Sequence, residues 1–86
     1  MARENDIEKT VRALIAKRTG TTGGRRPLDD GLALTSGGAG LDSIALVELL
    51  LDVERELGVG GSVELLEGPP ITVGRLVAWA LDRASA

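Results

Sequence analysis

The sequence predicts an all-α fold, a small four-helix bundle with a long first loop and a short third helix. Apolar residues recur at helical spacing along the chain, and no segment shows the strict apolar and polar alternation of a half-buried strand. Clusters of glycine and proline separate the helical segments. Since 86 residues support only one domain, we expect residues 1–86 to form a single domain with a mobile loop at about residues 19–41.

The first helix is predicted to begin near Asn5, because Asn5 and Glu8 have the spacing of a capping box. Four apolar residues then recur at helical spacing: Ile7, Val11, Leu14 and Ile15. Gly20 is expected to end this helix. In the glycine-rich loop that follows, we expect residues 21–26 to be mobile. Four leucines are expected to fix the rest of the loop to the core: Leu28, Leu32, Leu34 and Leu41.

The second helix is predicted for residues 43–57, with Asp42 as its N-cap and Gly58 as its end. Five apolar residues form an ordinary core stripe on this helix: Leu46, Leu49, Leu50, Val53 and Leu57. A second apolar strip consists of Ile44, Val47 and Leu51. This second strip either packs against the third helix or forms an exposed patch for a partner protein, and both interpretations can hold at different ends of the helix.

The last two helices are short and are bounded by clear stop signals. The third is predicted to start at Ser62 and to end before Gly68, which two prolines follow. The fourth is predicted to follow Thr72 as its N-cap. Its apolar stripe has six members: Val73, Leu76, Val77, Ala80, Leu81 and Ala84. Because Trp79 lies off this stripe, we expect the indole at the rim of the core, packed on one side.

The composition excludes several classes of function. The chain has no cysteine and no histidine, which excludes disulfides, thiolate nucleophiles, zinc sites with Cys or His ligands and Ser-His-Asp triads. A net charge of −3 argues against a nucleic-acid partner. No apolar run is long enough to span a membrane, and the charged N-terminal residues do not resemble a signal peptide. We therefore expect a cytoplasmic protein without a membrane partner. The adjacent Asp29 and Asp30 lack further ligands, so no metal site is predicted.

Charge is distributed unevenly along the chain. Residues 1–26 carry a net charge of +4 and residues 27–86 a net charge of −7. Between residues 41 and 67, seven acidic residues face a single basic one, Arg55. This acidic stretch is either an ordinary solvated helix surface or a docking face for basic partners.

One segment resembles the phosphopantetheine attachment motif of acyl and peptidyl carrier proteins: Gly40-Leu41-Asp42-Ser43-Ile44, followed by Ala45-Leu46-Val47-Glu48-Leu49. The resemblance extends over nearly the whole chain, including the long first loop, the acidic second helix and the short third helix. It implies that 4′-phosphopantetheine from coenzyme A is attached covalently to Ser43, within a cofactor-binding segment that also contains Gly40, Leu41 and Asp42. The terminal thiol of that arm would carry cargo as a thioester.

The resemblance also implies a set of partners and the residues that contact them. The expected partners are a phosphopantetheinyl transferase, an acyl- or aminoacyl-activating enzyme, and synthase, transferase or tailoring enzymes. The expected partner-binding residues lie on the second helix: Ile44, Val47, Glu48, Leu51, Asp52, Glu54 and Glu56. Such a protein is a monomer and a substrate of other enzymes, not an enzyme itself, so no catalytic residue is predicted.

Three functions follow from these observations. The first is a free-standing acyl carrier protein, in polyketide or other specialised biosynthesis, because the glycine-rich loop and the modest acidity differ from the most acidic carriers. The second is a stand-alone peptidyl carrier protein loaded with an amino acid. The third belongs to another class, a helical adaptor for protein interactions that has no prosthetic group and in which Ser43 only begins a helix. An acyl cargo would be sheltered between the second and third helices, beside four apolar residues: Val47, Leu51, Val63 and Leu66.

Overall fold

The predicted all-α fold is confirmed. The computed structural model describes residues 3–19, 29–35 and 38–85, without the side chains of residues 3, 4 and 85. Its elements are α1 (Arg3–Thr19), α2 (Ser43–Leu57), a 3₁₀ helix (Ser62–Glu67) and α3 (Val73–Ser85). Within these ranges the one β feature is an isolated antiparallel bridge between Ala33 and Thr72. No helix among the described residues is long and apolar enough to cross a membrane.

A single hydrophobic core joins the four helices. α1 packs against both α2 and α3, and the 3₁₀ helix packs against α2. The predicted stripes supply most of the core, since Val11, Val53 and Leu76 are fully buried. Burying apolar side chains together in this way is the main force that holds a domain of this size folded.

The start of α1 differs from the sequence prediction. The helix begins at Arg3, so Asn5 lies inside it and is exposed, and the capping box predicted for Asn5 and Glu8 is wrong. Arginine and glutamate at residues 3 and 4 are good helix formers, which allows the helix to extend past the polar residue at position 5. Glu8 instead accepts a hydrogen bond from Arg12 Nε at 2.9 Å, one turn further along α1. The helix ends at Thr19, and Gly20 lies outside the described residues.

The remaining helix boundaries agree with the prediction. α2 is capped at its start by Asp42 and at its end by Gly58, whose backbone is left-handed (φ +68°) and donates to Glu54 O. The third helix has the predicted bounds but 3₁₀ geometry. Thr72 caps α3, because its Oγ1 accepts a hydrogen bond from Arg75 N at 3.1 Å.

Trp79 is buried, not at the rim of the core as expected from its position off the stripe of α3. Only 8% of the residue is exposed, and it belongs to the hydrophobic core. The 3₁₀ helix covers this side of α3, and the indole N–H donates to Glu64 Oε2 at 2.7 Å. A buried indole whose one polar atom finds a partner suits a core position.

The described part of the long loop is fixed to the core by the leucines predicted for that purpose. Leu34 is fully buried, Leu41 is buried, and Leu32 packs against the core. Backbone hydrogen bonds join this segment to the start of α3, from Leu34 N to Ile71 O at 3.0 Å and from Val73 N to Leu32 O at 2.9 Å. Leu28 and the section predicted to be mobile, residues 21–26, lie outside the described residues.

Candidate functional site

Ser43 is the first residue of α2 and is exposed to solvent. The preceding Asp42 has extended backbone geometry (φ −82°, ψ 179°), and its Oδ1 accepts a hydrogen bond from Ala45 N at 2.7 Å. This hydrogen bond caps the helix and fixes its start directly beside Ser43. The hydroxyl of Ser43 therefore has a defined position that another protein can reach.

A tight turn before α2 determines where Ser43 lies. Gly40 has φ +84°, a left-handed conformation that glycine adopts readily and other residues rarely do. A side chain at Gly38 would collide with the carbonyl of Ala33, at 2.1 Å from an ideal Cβ, so the turn also needs glycine there. Leu41 follows, buried, with its N–H donating to Leu34 O at 2.9 Å. The predicted segment of Gly40 to Ser43 is thus a turn held by the core that presents the serine.

The start of α2 can accommodate a phosphate ester. The first backbone N–H groups of a helix have no acceptor within it, and the helix dipole places partial positive charge there. Asp42 takes the N–H of Ala45, and within the described part of the chain the N–H groups of Ser43 and Ile44, beside the hydroxyl, have no acceptor. An exposed hydroxyl with unpaired N–H groups next to it suits a phosphodiester. No cluster of acidic side chains that could hold a metal ion occurs among the described residues.

The second apolar strip of α2 lies beside Ser43 and is largely exposed. The exposed fractions are 72% for Ile44, 42% for Val47 and 46% for Leu51. Val47 and Leu51 face Val63 and Leu66 of the 3₁₀ helix across a groove of about 240 Å³. Ile44 is thus open to solvent, and Val47 and Leu51 line a groove between two helices.

Two of the acidic residues predicted for partner binding are already paired within the chain. Arg18, near the end of α1, contacts Glu48 Oε1 through Nη1 at 2.8 Å. Its Nε and Nη2 both contact Asp52 Oδ2 at 2.9 Å. The hydrogen bond to Asp52, followed by the charges of Asp52 and Glu48, raises the pKa of Arg18. One guanidinium group thus covers the acidic pair on α2.

Glu54 and Glu56 lie in two different environments. Glu54 lines the groove beside the 3₁₀ helix, and its Oε2 accepts a hydrogen bond from Ser62 N at 2.8 Å. Hydrogen bonds from the hydroxyl and N–H of Ser62 lower the pKa of Glu54, so its carboxylate is ionised at neutral pH. Glu56 is exposed and lines a separate groove between α1 and α2, together with Lys17 and Arg55.

Charged side chains also fix the 3₁₀ helix to α3. Arg75 Nη1 donates to Leu65 O at 3.1 Å and also to Pro69 O. Glu64 accepts from Trp79 and from Arg83, and these two contacts lower the pKa of Glu64. Sequence reasoning did not find these contacts or the role of Arg18, because the partners lie six or more residues apart and no local pattern joins them.

The chain matches a known protein family. A family model described as phosphopantetheine attachment site matches residues 9–80, a range that contains Ser43 and most of all four helices. A search of curated proteins found no match. A search of solved structures found none either.

Proposed function

The chain belongs to the phosphopantetheine attachment-site family, and from this we propose that Ser43 carries the family's covalent 4′-phosphopantetheine arm. The observation that supports this assignment is the exposed hydroxyl of Ser43 at the start of α2, behind the turn at Gly40. Domains of this family are typically carriers without catalytic activity. A phosphopantetheinyl transferase modifies them, and they then interact with partner enzymes.

The residues around Ser43 suit the arm. The hydroxyl oxygen of Ser43 would form the phosphodiester bond, and the N–H groups of Ser43 and Ile44 would face the phosphate. The arm supplies a thiol, on which cargo is held as a thioester. The apolar wall of the groove beside Val47 and Leu51 supports the expectation that the arm and its cargo lie between the second and third helices.

We further propose that residues 1–86 act as one free-standing acyl carrier in polyketide or other specialised biosynthesis. A single hydrophobic core joins all four helices, which supports one domain. The net charge of −3 and the pairing of two α2 acids with Arg18 support a carrier outside the most acidic group. A cytoplasmic monomer that meets its enzymes by diffusion fits this role.

The docking face for those enzymes is proposed to be the exposed side of α2. Its apolar centre is Ile44, with Val47 and Leu51 behind it. Apolar residues at the centre of a contact and charged residues at its rim are typical of interfaces that form and dissociate readily. Glu48 and Asp52 lie at the rim on the α1 side, where a basic partner would compete with Arg18 for them.

Attachment can be tested by intact mass spectrometry. The protein is incubated with coenzyme A and a phosphopantetheinyl transferase of broad specificity, and we expect the mass of one arm to be added. Ser43→Ala should abolish the addition while the far-ultraviolet circular dichroism spectrum is unchanged. Thr35→Ala, which removes a nearby hydroxyl outside the helix, should leave modification intact. Folded wild-type protein that gains no mass would favour the adaptor without a prosthetic group.

A further inference from the structure

The groove between α2 and the 3₁₀ helix has one ionisable side chain in its wall. Eight residues line it: Val47, Leu50, Leu51, Glu54, Gly61, Ser62, Val63 and Leu66. Most of this wall is apolar, and the exception that carries charge is Glu54. The sequence predicted Glu54 among the acids of the docking face, whereas the structure places it in the wall of this groove.

The position of Glu54 matches the reach of an arm on Ser43. The two residues are eleven positions apart on one helix, which at 1.5 Å per residue is roughly 16 Å along the axis. The arm has about as many chain atoms as five amino-acid residues, and an extended chain of that length spans at most about 17 Å. An arm that lies along the groove from Ser43 therefore brings its thioester, and the cargo on it, close to Glu54.

The Glu54 carboxylate can bind one further donor. Three groups hold it in place from one side: the N–H of Ser62 at 2.8 Å, the hydroxyl of Ser62 and the N–H of Gly61. An ionised carboxylate offers about four lone-pair positions, so these three hydrogen bonds leave one for another donor. No arginine or lysine is among the residues that line the groove in the described part of the chain. The negative charge of Glu54 is thus available to a cation that arrives with the cargo.

The chemistry of the cargo follows from this arrangement. A neutral acyl chain that enters the groove displaces water from the ionised carboxylate of Glu54 and donates no hydrogen bond to it, which is unfavourable. A protonated amine on a cargo of the same size replaces that water with a charge-assisted hydrogen bond. On the premise that Ser43 carries the arm, we propose that, among the acyl groups that this carrier holds, Glu54 favours those that bear a protonated amine over neutral groups of equal size.

A matched pair of cargoes tests this selectivity. The arm on Ser43 is loaded with a 3-aminopropanoyl thioester or with a butanoyl thioester, which differ only in an ammonium group in place of a methyl group. Amide chemical shifts of Gly61, Ser62 and Val63 and the hydrolysis half-life of each thioester are then measured. Glu54→Gln removes the charge but keeps an oxygen that accepts from Ser62, and Glu56→Gln removes the same charge outside the groove.

In the wild-type protein, the 3-aminopropanoyl cargo should shift the Ser62 amide more than the butanoyl cargo does. The hydrolysis half-life of the 3-aminopropanoyl thioester should be about fivefold shorter in Glu54→Gln than in the wild type. This factor corresponds to about 1 kcal/mol for one partly exposed ion pair. The butanoyl half-life should not fall in Glu54→Gln, and Glu56→Gln should leave both cargoes unchanged.

Equal shifts at Ser62 for the two cargoes, or a half-life ratio that Glu54→Gln does not alter, would overturn the selectivity. These outcomes differ from a failure of the proposed function, since a protein that cannot be loaded at Ser43 would show no thioester at all. A cargo effect confined to Ser43 and its turn would likewise contradict the role of Glu54.

Discussion

Replacing Arg18 with glutamine should expose the acidic pair on α2 and strengthen the docking of basic partners. Arg18 contacts Glu48 at 2.8 Å and Asp52 at 2.9 Å, so it occupies the position that a partner's cation would take. The second cation beside this pair is Arg55, whose Nη2 lies 3.6 Å from Asp52 Oδ1. These four side chains together are neutral, and Arg18→Gln leaves them with a net charge of −1.

The size of the effect follows from that one charge. An unpaired negative charge roughly 4 Å from a partner's cation changes association about fivefold at low salt, even with the screening of bulk water. The gain should appear in the association rate, because rim charges act mainly on diffusional encounter. It should disappear towards 1 M salt, where charges are screened within about 3 Å.

The assay is the initial rate of arm transfer from coenzyme A at limiting carrier concentration, measured over a series of salt concentrations. Lys17→Gln is the matched control, because it removes the same charge one residue earlier, at an exposed position that lines the neighbouring groove. Glu48→Lys in the wild-type chain should slow transfer at low salt. If Arg18→Gln and Lys17→Gln give the same rate at every salt concentration, Arg18 does not compete with the partner for the acidic pair.

Two further predictions concern the turn and the 3₁₀ helix. Gly40→Ala should lower the free energy of unfolding by about 1 kcal/mol and slow arm transfer, because φ +84° strains any residue with a Cβ. Gly31→Ala, where a Cβ would meet nothing within 4 Å, should change neither quantity in the same denaturation and transfer assays. Arg83 and Trp79 depress the pKa of Glu64, so their contribution to stability is present above its ordinary value of 4.5 and is lost as the pH falls below it. Trp79 fluorescence should change over that acidic range in the wild type and not in Glu64→Gln, and an identical titration in both proteins would assign the change to another carboxyl.

The parts of the fold that the sequence predicted are those that local rules determine. Asp42 and Gly58 bound α2 because a side-chain cap and a left-handed glycine each act within one turn of the helix. The loop leucines were predictable for a related reason, since Leu34 and Leu41 stand out as large apolar residues in an otherwise polar and glycine-rich segment. Ser43 could be placed at the start of α2 by the same local logic.

Features that depend on two distant segments could not be predicted in this way. Trp79 lies off the stripe of α3, and only the position of the 3₁₀ helix shows that this side is covered as well. Arg18 lies thirty residues before Glu48, and nothing in the sequence of either helix indicates that they meet. The 3₁₀ geometry of the third helix also has no clear local signal, because six residues between glycines allow either helix type.

The acids of α2 show why the charge of a helix does not measure the charge that a partner meets. Glu48 and Asp52 lie one turn apart and face α1, where Arg18 neutralises them. Glu54 is two residues later, about 200° around the helix from Asp52, and therefore faces the 3₁₀ helix instead. Glu56 faces the groove that also contains Lys17 and Arg55. The net charge that α2 presents to a partner is the charge left after these contacts within the chain. Basic residues on α1 therefore set this charge as much as the acidic residues of α2 do.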